Sequence, residues 1–133
     1  HLGLGCYMNT SDPEKEIRTI FNACSQFWSI LTLLTINKMH HLIREKGCEN
    51  DIKVVSSIYD SIYLHMKCDA ELIKWVDDTI MPILTTDFLE DIIVSNEAEG
   101  EIGLNWYDTV KVHNNANIQE IEAAIQKAYE IAE

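Results

Sequence analysis

Residues 52–66 read I-K-V-V-S-S-I-Y-D-S-I-Y-L-H-M and predict two short strands joined by a tight turn. The apolar residues of this stretch are of the β-branched, aromatic and aliphatic types that a half-buried hairpin requires. They are Val54, Val55, Ile58, Ile62, Tyr63 and Leu64. Asp60 falls at the tip, where a rigidly held carboxylate facing open space suits a hard divalent cation such as Mg²⁺. Asp is also a common turn residue, so the same position fits a turn acid that binds nothing.

The composition indicates a folded domain without a membrane segment. A chain of 133 residues with 47% hydrophobic content can bury a single core. No apolar run reaches the roughly 18 residues of a membrane span, and no secretory signal is visible, so we expect no membrane partner. Cys6, Cys24, Cys48 and Cys68 are widely spaced, which fits reduced thiols in a cytoplasmic environment better than disulfides. The chain begins with His1 rather than Met, which favours a piece of a longer polypeptide.

The formal net charge of −12 argues against nucleic-acid binding, which normally requires a basic surface. The acidic residues are unevenly distributed, however, with most of them in residues 69–101 and 119–133. Residues 37–46 form a locally basic segment instead. Its basic residues are Lys38, His40, His41, Arg44 and Lys46. The charge therefore disfavours a nucleic-acid role without excluding it.

Capping residues and hydrophobic periodicity predict three helices around the hairpin. The first starts near Ser11-Asp12-Pro13-Glu14 and runs to Gly47, with apolar residues at three- and four-residue intervals. These apolar residues are Ile17, Ile20, Phe21, Cys24, Phe27, Trp28, Leu31, Leu34 and Met39. A second helix starts near Asp69 and fails around Thr85, with Asp77 and Asp78 facing water.

The C-terminal part predicts a strand, a short strand-like closing segment and a final amphipathic helix. The strand covers residues 100–106, residues 110–112 close the folded part, and residues 87–94 are ambiguous between helix and strand. The tail, residues 114–133, reads as a turn followed by a helix with one apolar stripe. The predicted class is α+β: an antiparallel sheet that includes the hairpin, backed by the long helix and the second helix.

Three hydrogen-bonding residues recur every fourth position on the first helix: Arg18, Asn22 and Gln26. This spacing aligns their side chains in one stripe. The stripe is compatible with the solvated edge that most helices keep. Taken alone, the spacing favours this solvated edge. The alternative is a row of donors along the minor groove of DNA, where every base pair offers acceptors.

Taken together, these motifs resemble the C-terminal palm of the family A DNA polymerases, the DNA polymerase I type. In that family a helix carries R-x-x-x-N-x-x-x-Q, a hairpin follows with H-D-E at its tip, and a late strand reads G-x-x-W. The corresponding segments here are R-T-I-F-N-A-C-S-Q (18–26), I-Y-D-S (58–61) and G-E-I-G-L-N-W (100–106), with Gly47 between the first two. The resemblance covers residues 10–112 and keeps the order and similar spacing of the landmarks.

The resemblance implies a polymerase palm in residues 1–112, a C-terminal amphipathic helix extension in residues 113–133, and roles for six residues. Asp60 would be the second carboxylate that holds the two catalytic Mg²⁺ ions, with Tyr59 and Ser61 where the family has His and Glu. The predicted DNA contacts to the primer–template minor groove come from the stripe Arg18, Asn22 and Gln26. The other implied partners are a dNTP and the remainder of the polymerase chain, in the cytoplasm of a bacterium or a phage-infected host.

The departures from the family pattern are also specific. Ser61 removes one negative oxygen near the metals, Tyr59 cannot act as a cationic phosphate contact, and Phe27 replaces the Gly that follows Gln in the family. They fit a divergent branch, such as one from phages. The first metal carboxylate and the nucleotide-binding helix lie upstream in the family, so we expect this chain to be a fragment that is silent alone. Two alternatives remain: a split polymerase subunit that completes a site in trans, and a non-catalytic acidic α+β interaction domain whose terminal helix binds a partner.

Overall fold

The computed structural model describes residues 13–85 and 97–133, which divide into two compact units at the end of the predicted hairpin, after His65. The first unit contains α1 (Pro13–Lys46), β1 (Ile52–Ile58) and β2 (Ser61–Met66). The second contains α2 (Ala70–Thr79), α3 (Met81–Leu84), β3 (Gly100–Gly103), β4 (Thr109–Val112) and α4 (Ile118–Ile131). The predicted N-terminal cap at residues 11–12 and the ambiguous stretch 87–94 lie outside the described residues.

The first unit is organised around the C-terminal half of α1. Thr35, Met39 and Ile43 are buried and follow one another at four-residue intervals, which places them on one face of the helix. α1 contacts β1 at this end, where Ile52 is also buried. A helix of 34 residues is about 51 Å long, while a seven-residue strand spans only about 23 Å. The hairpin therefore covers only part of the helix.

The predicted apolar face of α1 is only partly buried. Ile17 and Phe21 are 68% and 72% exposed, and Leu34 is 37% exposed. Met39 is buried as predicted. The difference follows from the length of the helix, because among the described residues the β1–β2 hairpin is too short to reach its first turns.

α1 ends at the residue that the sequence indicated. Gly47 adopts φ 74°, a left-handed conformation that only glycine takes without strain. Its N–H donates to the Arg44 carbonyl at 2.9 Å, and the Cys48 N–H donates to the Ile43 carbonyl at 3.1 Å. This pair of bonds is the Schellman motif, which satisfies the last carbonyls of a helix. Cys48 is buried directly behind it, and the chain turns into β1.

The second unit begins with a capped helix and a helical break. The Asp69 side chain accepts from the Leu72 N–H at 3.1 Å, which confirms the predicted start of α2. α2 stops at Thr79, and a four-residue helix, α3, begins with Pro82 in its first turn. α3 ends just before Thr85, where the sequence predicted that the helix fails.

Asp77 does not face water as predicted, because it is only 8% exposed. It lies between Ile73 and Ile80 on one face of the helix, and both of these residues are buried. Asp78 is exposed as predicted and pairs with Lys74, one turn earlier. The buried face of this part of the chain therefore contains a carboxylate.

β3 and β4 form an antiparallel pair with Gly100 opposite Val112 and Ile102 opposite Val110. Side chains alternate across the pair, and Ile102 and Val112 pack on the core of the second unit. The predicted strand 100–106 is too long, because pairing stops at Gly103 and residues 104–108 form the connecting loop. The closing segment at residues 110–112 belongs to β4.

α4 covers this sheet and α2. Its predicted range is confirmed, and its start is fixed by a capping box in which Asn117 and Glu120 bond each other's backbone N–H. Ile121, Ala124 and Ala128 are buried along one stripe. The core cluster of the second unit consists of Ile73, Ala116 and Ile121, with five half-buried side chains around it. These are Met66, Ala70, Ile102, Val112 and Ile125.

The predicted α+β class is confirmed, but the predicted single sheet is not. The described strands form two separate two-stranded sheets, β1–β2 and β3–β4. Each sheet pairs strands that are adjacent in sequence, because a short turn brings such strands together without a long crossover. The palm architecture and its boundary at residue 112 stay predictions.

Candidate functional site

The tip of the β1–β2 hairpin presents the three consecutive residues that the resemblance assigns to catalysis. Tyr59, Asp60 and Ser61 are all exposed, Tyr59 to 87%. β1 ends at Ile58 and β2 begins at Ser61, so Tyr59 and Asp60 are the two residues of the turn. The predicted place of Asp60 at the hairpin tip is observed, and its role in metal binding stays a prediction.

The backbone of the tip is strained at Tyr59. Its φ of 55° lies in the left-handed region, which costs a residue with a Cβ roughly 1–2 kcal/mol. Two-residue hairpin turns usually place Gly, Asn or Asp at a positive φ. Residues of other types that adopt a positive φ cluster at functional sites, where the backbone strain contributes to the mechanism. An aromatic residue beside Asp60, where glycine would relax the turn, therefore points to a use for the Tyr59 side chain.

Among the described residues, Asp60 does not belong to a group of metal-ligating side chains. Among the residues that the structure describes, no group of three or more His, Cys, Asp or Glu side chains could hold a metal ion. The nearest acids in sequence before the tip, Glu49 and Asp51, precede the other end of β1. Mg²⁺ requires near-octahedral oxygen coordination. The Asp60 carboxylate is a suitable hard ligand, and further ligands would have to come from outside this hairpin.

The stripe on α1 lies on an uninterrupted helix, as the sequence predicted. Arg18 and Asn22 are exposed, and Gln26 occupies the next position of the same row, although its side chain lies outside the described residues. Ile17 and Phe21, beside this row, are exposed as well. The exposure of Arg18 and Asn22 agrees with a solvated edge of the helix and with a row of groove contacts alike. The role of the stripe stays a prediction.

Charge is segregated between the two units. In residues 13–65 the Lys and Arg residues balance the acids, and the predicted basic segment is exposed at Lys38, His40, His41 and Arg44. In residues 66–85 and 97–133 the acids greatly outnumber the lysines. The acidic charge of the chain thus does not fall on the unit that contains the candidate DNA-binding and metal-binding residues.

Sequence reasoning missed the aromatic loop between β3 and β4. Leu104, Trp106 and Tyr107 are exposed there, at 50%, 68% and 92%. The Asn105 side chain accepts from the N–H groups of Tyr107 and Asp108 at 2.8 and 2.7 Å. Asn is a turn-forming residue for this reason, so the run N-W-Y-D was the available signal that the strand ends before it.

In residues 13–85 and 97–133, none of the helices has the length and apolarity needed to cross a membrane. No protein-family model, no curated protein and no solved structure matches the chain.

Proposed function

We propose that the chain is the palm segment of a template-directed DNA polymerase of the family A type, which joins dNTPs to a primer 3′-hydroxyl during DNA replication. One observation carries the proposal. An exposed two-residue turn holds Asp60 beside a strained Tyr59, after a long helix with an exposed Arg18 and Asn22. The order of helix, hairpin, helix and glycine-containing strand also agrees with that of the palm.

In this proposal the hairpin tip contributes one metal ligand and two neutral groups. The Asp60 carboxylate would hold Mg²⁺ through hard oxygen atoms, and the bound metal would supply the positive charge that nucleotidyl transfer requires. Tyr59 is 87% exposed, and its phenol ring would lie beside the primer end. The Ser61 hydroxyl supplies a neutral oxygen where the family has a carboxylate. The site would therefore carry less negative charge than the corresponding site of the family A polymerases.

The stripe on α1 would follow the minor groove of the newly formed primer–template duplex. Arg18 and Asn22 are exposed donors on successive turns, and Gln26 is next in the row. Donors to minor-groove acceptors test the shape of a base pair without reading the sequence. The balanced charge of the first unit removes the electrostatic obstacle that the net charge of −12 raised.

The described residues supply only one metal carboxylate, so the remainder of the polymerase chain must provide the others and the dNTP-binding helix. We expect the 133-residue chain alone to be inactive. The natural polypeptide that contains these residues is the species to test.

The experiment is primer extension by that polypeptide with Asp60→Ala. Losing a metal ligand should reduce the rate by about two to three orders of magnitude, because a catalytic metal contributes several kcal/mol of charge stabilisation. Asp51→Ala is the matched control, since Asp51 is an exposed acid before the opposite end of β1. It should leave the rate within a factor of about two. Unchanged extension with Asp60→Ala would remove the metal role and the polymerase assignment with it.

The stripe is tested separately by binding of primer–template DNA at several salt concentrations. Arg18→Ala should weaken binding by about 1–3 kcal/mol if the guanidinium lies in the groove. Lys38→Ala is the control, because Lys38 is exposed on the opposite side of the same helix. Equal losses of DNA affinity in the two variants would mean that Arg18 contributes only general electrostatic attraction and makes no groove contact.

A further inference from the structure

The loop between β3 and β4 is built to hold two aromatic rings outward. Trp106 and Tyr107 are 68% and 92% exposed, and Leu104 beside them is half exposed. We call these three residues the aromatic tip. Large apolar side chains grouped at one exposed loop commonly mark an interaction surface rather than a packing accident.

Side-chain hydrogen bonds hold the exposed loop in its conformation. The Asn105 side chain accepts from two backbone N–H groups, and its amide donates to Asp108 Oδ2 at 3.1 Å. At Gly103 a Cβ atom would lie 2.6 Å from the Asp108 carbonyl oxygen, so the close approach of the two strand ends requires glycine. Thr109 closes the base of the loop by donating to Glu101 Oε2 at 2.7 Å. A surface held in one conformation before binding loses less entropy when a partner docks.

The surroundings of the tip are negatively charged. Glu101 lies on the outer face of β3, Glu99 lies just before the strand, and Asp108 lies in the loop. The second unit has four lysines among its described residues, and two of them are in short ion pairs, Lys74 with Asp78 and Lys111 with Glu99. The surface therefore repels DNA and a second copy of this acidic unit. It attracts cationic groups.

We propose that the aromatic tip, with its acidic surroundings, is a docking site for a protein partner that presents arginine side chains. A guanidinium stacks on aromatic faces more effectively than an ammonium does, while the nearby carboxylates satisfy its charge. The site lies on different residues from the hairpin tip of the proposed polymerase site. It stands or falls independently of the polymerase assignment.

The test uses the full 133-residue chain and two fluorescently labelled probes of equal charge, octa-arginine and octa-lysine, followed by anisotropy. Octa-arginine should bind about three- to fivefold more tightly than octa-lysine, because each stacked guanidinium contributes a cation–π interaction. The double variant Trp106→Ala, Tyr107→Ala should lose about tenfold in affinity for octa-arginine and bind both probes alike. Its far-UV circular dichroism should match that of the parent chain.

Tyr129→Ala is the matched control, because Tyr129 is a half-exposed tyrosine on α4 of the same unit. It should change octa-arginine binding by less than about twofold. A second measurement needs no variant: stacking on the rings should shift the arginine δ-proton resonances upfield in the NMR spectrum of the complex. Equal binding of the two probes, equal losses in the control and the double variant, or unshifted arginine resonances would each overturn the proposal.

Discussion

Lys111 Nζ donates to Glu99 Oε2 at 2.6 Å, and this ion pair joins β4 to the residue just before β3. The hydrogen bond from Lys111, and then its charge, hold the pKa of the Glu99 carboxyl below its usual range. The same contact raises the pKa of Lys111. The pair lies on the exposed face of the sheet whose loop forms the aromatic tip.

The first prediction concerns the titration of Glu99. A carboxyl whose pKa is lowered in the folded state stabilises that state above its ordinary pKa, and the contribution fades as the pH falls through the lowered value. Lys111→Met should return the Glu99 pKa to its usual range in a carbon-detected NMR titration, and added salt should do so in part. Lys127→Met, on α4, serves as the control and should not move it. A Glu99 pKa that is indifferent to Lys111→Met would contradict the structure.

The second prediction concerns the start of α4. Asn117→Ala removes the side chain that accepts from the Glu120 N–H at 3.0 Å and should lower the free energy of unfolding by about 1 kcal/mol. Urea denaturation followed by circular dichroism measures the change. Gln119→Ala, an exposed substitution in the same turn, should stay within about 0.5 kcal/mol of the parent chain. If the two variants unfold at the same urea concentration, the capping box does not act in solution.

The third prediction concerns the buried acid of α2. Asp77 Oδ2 has no hydrogen-bond partner among the described residues. A buried polar atom without a partner costs about 1–3 kcal/mol, so Asp77→Leu should raise the urea midpoint. Asp78→Leu, which only breaks the exposed pair with Lys74, should lower stability by a few tenths of a kcal/mol. A loss of stability with Asp77→Leu would mean that the carboxylate has a stabilising role.

The fourth prediction concerns two thiols of the described residues. Burial raises the pKa of the Cys48 thiol, which donates from Sγ to the Ile43 carbonyl at 3.5 Å, while Cys68 is exposed. Because the thiolate is the reactive form, iodoacetamide should label Cys68 well before Cys48 in the native chain. Peptide mapping by mass spectrometry separates the two sites. In urea the two rates should converge, and equal rates in the native chain would contradict the burial of Cys48.

Local signals in the sequence were enough for the end of α1, the start of α2, the range of α4 and the first hairpin. The break between α2 and α3 was not predicted. Gly47 fixes the end of α1, Asp69 caps α2, and the apolar stripe that includes Ile121 defines α4. Each signal acts within one or two turns of the chain, so no knowledge of distant contacts was needed. The position of Asp60 was predicted from a local signal as well. The apolar runs on both sides of it leave a single position for the turn.

The features that sequence reasoning missed depend on contacts between distant parts of the chain or on side-chain bonds. Asp77 is buried although its charge predicts exposure, in a helix that packs against α4 about forty residues later. The division into two sheets depends on which strands pair, and periodicity within a strand cannot reveal this. The premature end of β3 results from the hydrogen bonds of a single side chain, Asn105.

The packing of α4 has a consequence for synthesis on the ribosome. α1 and the hairpin contact each other early in the chain, so this part can form while later residues are still being added. The core of the second unit joins Ile73 to Ile121 and cannot close until α4 has left the exit tunnel. Until then, the apolar side chains of α2 and of the β3–β4 pair that pack against α4 are exposed. Nascent chains stalled between β4 and α4 should therefore bind chaperones and be cut by proteases within residues 66–85 and 97–112, while α1 and the hairpin resist both.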